Sequence, residues 1–122
     1  MGATILVVDD AAFMRMMLRD ILEAAGYEIH EAGNGPQAIE EYARVTPDLV
    51  TMDITMPAMS GVEAVRGIRE RDPGARIIMV SAMGQDSMIA EALAAGAADF
   101  IVKPFQPAKV LELVTKCLGA QR

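Results

Sequence analysis

The stretch DLVTMDITMP, residues 48–57, holds the reading on which the fold turns. Leu49, Val50 and Met52 make an apolar run suited to a strand. The run stops on a carboxylate, Asp53, and Pro57 then bars regular structure from continuing. A charge at the margin of a core is costly unless something answers it. Asp53 therefore asks for a reason beyond packing.

Working outward, the same kind of segment recurs. TILVVD (4–9), YEIHE (27–31), DLVTMD (48–53), RIIMVS (76–81) and DFIVK (99–103) start roughly 20–28 residues apart, the spacing of strands that each feed a helix and return parallel. Four of them are nearly continuous apolar runs, which predicts strands buried on both faces. YEIHE alternates, which predicts a half-exposed edge strand.

The intervening segments have helical periodicity. Phe13, Met17, Ile21 and Ala25 recur every four residues, and Gly26 follows as a stop. Pro36 suits the opening of a helix over GPQAIEEYARV. Val62, Val65 and Ile68 share one side of a third helix, before the turn Asp72-Pro73-Gly74. DSMIAEALAAG runs to Gly96, and a last helix from Pro107 to Gly119 turns Val110, Val114 and Cys117 inward. Right-handed crossovers make this (βα)5 pattern an α/β fold, an open doubly wound parallel sheet of flavodoxin-like order 2-1-3-4-5. A single domain is expected over residues 1–122.

Composition narrows the function. The chain is 52% hydrophobic with a net charge of −6, so a basic nucleic-acid-binding surface is not expected. No apolar run approaches the ~18 residues of a membrane span, and MGATILVVDD lacks the basic region of a signal peptide. The one cysteine, Cys117, cannot form an internal disulfide, which fits a reducing, cytoplasmic compartment.

In open α/β sheets, functional groups gather beyond the carboxyl ends of the strands. Those ends carry Asp9 and Asp10, Asp53, Ser81 and Lys103, on four strands that are neighbours in the expected order. Crowded carboxylates repel, and a hard cation with oxygen ligands, Mg²⁺ above all, relieves this. With a metal and a lysine balancing charge, one carboxylate can attack a phosphoryl group and become an acyl phosphate. Taken singly the residues have plainer readings: Asp10 or Asp9 as a helix cap, Ser81 as a strand-end hydroxyl, Lys103 as a solvated charge. Asp53 has no obvious helix to cap.

VVDD, MDITMPAMSG, VSAMG and DFIVKPF, in this order and spacing, resemble the motifs of bacterial response-regulator receiver domains over essentially the whole chain. VDDAAFMRMML, VTMDITMP, SAMGQ and FIVKPFQP are most similar to the stand-alone chemotaxis members of that family. The resemblance implies a phosphorylation switch rather than a dedicated enzyme. It makes Asp53 the acceptor of a phosphoryl group from a histidine kinase. It implies one Mg²⁺ held by Asp10, Asp53 and the backbone carbonyl of Thr55, with Asp9 acting through a water. Lys103 and Ser81 would contact the phosphoryl group, Ser81 and Phe100 would form the switch, and Pro57 and Gly61 would shape the loop after the acceptor. The Lys103–Pro104 peptide is expected to be cis.

Two positions differ from the best-known chemotaxis pattern: Ser81 is often threonine there, and Phe100 is often tyrosine, so Phe100 offers a partner no hydroxyl. Expected partners are the kinase, a phosphatase and an output protein such as the flagellar motor switch. The output protein would bind a monomer through the face formed by the fourth helix, fifth strand and fifth helix.

His30 is the only histidine, so a histidine phosphodonor must lie on another protein. Met14, Met16 and Met17 read as adaptable core filling or as a docking face on the first helix. A haloacid-dehalogenase-like phosphatase would need an acid/base aspartate two residues after its nucleophile, where this chain has Thr55. A flavodoxin-type phosphate loop would need hydroxyls and glycines where DDAAFMR stands. A phosphorelay intermediate fits the same residues.

Overall fold

The computed structural model describes residues 2–119. Five strands, β1 (Thr4–Val8), β2 (Glu28–Ala32), β3 (Leu49–Asp53), β4 (Ile77–Ser81) and β5 (Asp99–Val102), alternate with five helices. The helices are α1 (Ala12–Ala24), α2 (Gly35–Val45), α3 (Gly61–Arg71), α4 (Asp86–Ala94) and α5 (Pro107–Gly119). All strand pairs are parallel and the order is β2-β1-β3-β4-β5, as the spacing predicts.

Alternate strand residues face two separate cores. Leu6, Val50, Met52 and Met79 pack with Val62, Val65 and Ile68 of α3 and Ala38 of α2. Ile5, Val7, Leu49, Ile78 and Val80 pack with Leu18 and Leu22 of α1 and with Val110, Val114 and Cys117 of α5. Each fully buried aliphatic side chain contributes about 1.5–3 kcal/mol, so both faces of the sheet are held firmly. The helix ends follow local chemistry. Asn34 accepts the Gln37 N–H at 2.8 Å at the start of α2, and Ser60 with Glu63 forms a capping box on α3. Gly26 sits just past α1 with φ +96°, a left-handed stop.

Two expectations are corrected. The face of α1 that enters the core is Leu18 and Leu22, while Phe13 is 64% exposed. A repeat of strictly four residues drifts by about 40° per turn around a 3.6-residue helix, so Phe13, Met17, Ile21 and Ala25 cannot share one face. The other concerns β5, whose Phe100 and Val102 are each 37% exposed although Ile101 is buried. β5 is the second edge of the sheet, and a groove of ≈ 430 Å³ lies beside it, lined by Ile89, Phe100 and Val102. Among the described residues no helix is long and apolar enough to cross a membrane.

Candidate functional site

The register aligns the strand ends. Val8 lies opposite Met52, Asp53 opposite Val80, and Ser81 opposite Val102. The residues at and just beyond these ends therefore meet at one edge. Carboxylate oxygens of Asp9, Asp10 and Asp53 lie within 4.8 Å of one another. Asp9 and Asp53 are buried, at 1% and 7% exposure, and Asp10 is exposed. Lys103 Nζ donates to Asp9 Oδ2 and to Asp53 Oδ1, both at 3.3 Å.

This electrostatic balance is incomplete. Burial, then the charge of Asp9, push the Asp53 carboxyl up to about 6, against the pull of Lys103; Asp10 adds a smaller push. Partial burial pulls the Lys103 ammonium down, but Asp53 and Asp9 outweigh it and hold its pKa above the usual value. One ammonium cannot neutralise three carboxylates. The donor set is all oxygen, compact and open to solvent through Asp10, so it fits a hard divalent cation such as Mg²⁺.

The surrounding loops are braced. Asp9 Oδ1 accepts the Ala11 N–H at 2.9 Å, and Arg15 Nη1 donates to the Asp9 carbonyl at 2.6 Å. Arg15 is held in turn by Glu31, 2.9 Å from its Nε. The N-cap of α1 is Ala11, with no side-chain cap, so Asp10 does not cap the helix. Gly61 presses against the end of β3: a methyl group there would lie 2.2 Å from the Asp53 carbonyl oxygen. Its N–H donates to the Ile54 carbonyl at 2.6 Å. Pro57 and Ala58 make the bend between, with φ +71° at Ala58.

Every residue nominated from the sequence has a definite place. Ser81 is fully buried, and its hydroxyl donates to the Ile101 carbonyl across a long 3.4 Å. Lys103–Pro104 is cis. Thr55 is exposed in the loop after Asp53, and its hydroxyl accepts from Gln85 Nε2 at 2.7 Å. Phe100 stands apart, turned outward to the groove beside β5. Arg15 and Gln85 were not nominated. Their contacts run to backbone, to Glu31 on β2 or to a distant loop, and the only local hint is a polar residue directly after Gly84.

The comparisons agree with this geometry. Residues 5–115 match the response regulator receiver domain model. The chain is 60% identical to a chemotaxis protein CheY of Bacillus subtilis, over 98% of this chain and 100% of that one. It is 59% identical to a CheY of Thermotoga maritima, over 95% and 98% respectively. It superposes with TM-score 0.89 and 39% identity on a chain of the CheX–CheY–BeF₃–Mg²⁺ complex from Borrelia burgdorferi, covering 93% of this chain and 87% of that one. Parallel strands in the order 2-1-3-4-5, acids and a lysine at their carboxyl ends, and a matching family model over nearly the whole chain lead to one conclusion: this chain belongs to the response regulator receiver domains and is closely related to CheY.

Proposed function

We propose that Asp53 is the phosphoacceptor of a CheY-like switch. The observation that carries this is the Lys103 ammonium bridging Asp9 and Asp53 inside the three-carboxylate cluster. An Asp53 oxygen attacks the phosphorus of a kinase phosphohistidine, the P–N bond breaks, and the acyl phosphate remains on Asp53. Lys103 already points an N–H at Asp53 Oδ1, so it can follow the transferred oxygens with little reorganisation. Asp10, Asp53 and the Thr55 carbonyl would hold Mg²⁺, with Asp9 acting through a water. The ion supplies charge neutralisation at the phosphoryl oxygens. Thr55 holds the position where a dehalogenase-type phosphatase needs its acid, which favours a switch over that enzyme.

Output follows from Ser81. Phosphorylation adds about −1.5 to −2 charge and new acceptor oxygens, and among the described residues the Ser81 hydroxyl is held only by its 3.4 Å bond to Ile101. Ser81 turns toward the new oxygens, Phe100 moves in behind it, and the α4–β5–α5 face changes shape. The partner reading that face would be the flagellar motor switch. Incubation with a small acyl phosphate and Mg²⁺ should add one phosphoryl mass to the wild-type chain and none to Asp53→Asn. Equal labelling of the mutant, or labelling untouched by a chelator, overturns the assignment.

A further inference from the structure

Gln85 is the N-cap residue of α4, yet its side chain caps nothing in that helix. It turns back into the preceding loop instead. Its Oε1 accepts the Ala82 N–H at 2.6 Å, and its Nε2 donates to Thr55 Oγ1 at 2.7 Å. Gly84, at φ +86°, supplies the left-handed turn that lets the side chain reach back. One amide thus ties the residue after Ser81 to the second residue after Asp53, across loops 30 positions apart.

We propose that Gln85 is a positioning residue, a latch that holds the β4–α4 loop in the resting conformation. The proposal rests on the acceptor role of Asp53 given above. Ser81 and Ala82 are adjacent, so a shift of Ser81 toward a phosphoryl group carries the Ala82 N–H with it. A 2.6 Å bond to a side chain anchored at Thr55 does not survive an ångström-scale shift. The two bonds therefore favour the resting state alone, and any interaction made in one state only moves the equilibrium toward that state. Opening the latch also frees the Ala82 N–H, the donor that directly follows Ser81 at the end of β4.

The test uses Gln85→Leu, Thr55→Val and the double variant, with beryllofluoride plus Mg²⁺ as the phosphoryl probe. Gln85 is half-buried in a loop, and neither change opens a core cavity. In the unliganded protein, Ala82 amide exchange should quicken several-fold in Gln85→Leu. Beryllofluoride affinity should rise roughly three- to tenfold, the net worth of one or two neutral hydrogen bonds. Thr55→Val should show a smaller rise that vanishes in the Gln85→Leu background, because both changes cut the same bond. Gln85→Glu keeps an acceptor for Ala82 and can accept a hydrogen bond from the Thr55 hydroxyl, so it should restore slow exchange. Unchanged Ala82 exchange in Gln85→Leu, or additive effects of the two single changes, overturns the latch. If the wild-type chain binds no beryllofluoride, the acceptor reading fails, and the exchange measurement still decides whether Gln85 holds the loop.

Discussion

Asp53 shows how much one residue can be asked to bear. Its carboxyl is pushed from an ordinary 3.8 up to about 6, first by burial and then by Asp9. The folded state therefore holds the proton more tightly than the unfolded chain does. The fold is favoured by this group below pH 3.8, and that advantage is lost as pH rises through about 6. Metal-free wild-type protein should thus lose stability relative to Asp53→Asn across that window. Denaturant midpoints of the two proteins, measured in chelator from pH 4 to 7, should diverge as pH rises. A constant difference between them would mean that the folded site does not perturb Asp53. In the role proposed for Asp53 the strain has a use: a carboxylate poorly solvated and poorly balanced is a better nucleophile for phosphorus than one already satisfied.

At the scale of elements, the junction of β3 with α3 carries most of the precision. Ser60 and Glu63 fix where α3 begins, and Gly61 lets that first turn lie directly on the backbone of Asp53 and Ile54. Gly61→Ala would place a methyl 2.8 Å from the Ile54 Cα as well as on the Asp53 carbonyl, and neither backbone group can yield cheaply. The substitution should cost about 1–3 kcal/mol and slow Asp53 labelling by acyl phosphate. Urea unfolding and labelling rate check the two parts; an unchanged midpoint would show that α3 can lift away freely.

This junction also marks where the sequence stops being legible. The strand ends could be read because apolar runs finish on charged residues, and parallel order brings those ends together. The inward face of α1 could not, because near-regular apolar residues occupy two adjoining helical faces there. The exposure of β5 was hidden by an apolar composition that suits an edge strand facing a partner as well as a central one. Gln85 and Arg15 act through bonds whose other halves are backbone groups or lie on another loop or strand, and no local pattern encodes those.

For the molecule as a whole, three acids at one edge and a net charge of −6 make the metal-free state carry a local conflict. Mg²⁺ at about 100 times its dissociation constant should stabilise the fold by roughly 2.7 kcal/mol by mass action, read as a rise of several degrees in the thermal midpoint. Asp10 is exposed and caps no helix, so Asp10→Asn should leave the metal-free midpoint level or raised and remove much of the Mg²⁺ response. A full response in that variant would place the ion elsewhere.

The bond from Lys103 to Asp9 spans 94 positions of the chain. Translation runs from the amino end, so all three acids have left the ribosome well before their counter-charge is made. A nascent chain that has released β1 through β4 carries all three acids but neither the ammonium that answers them nor α5, which closes one of the two cores. The charge balance of the acidic edge and the closing of that core therefore arrive together and late, with the last strand and helix, and a fragment cut short before Lys103 should have neither.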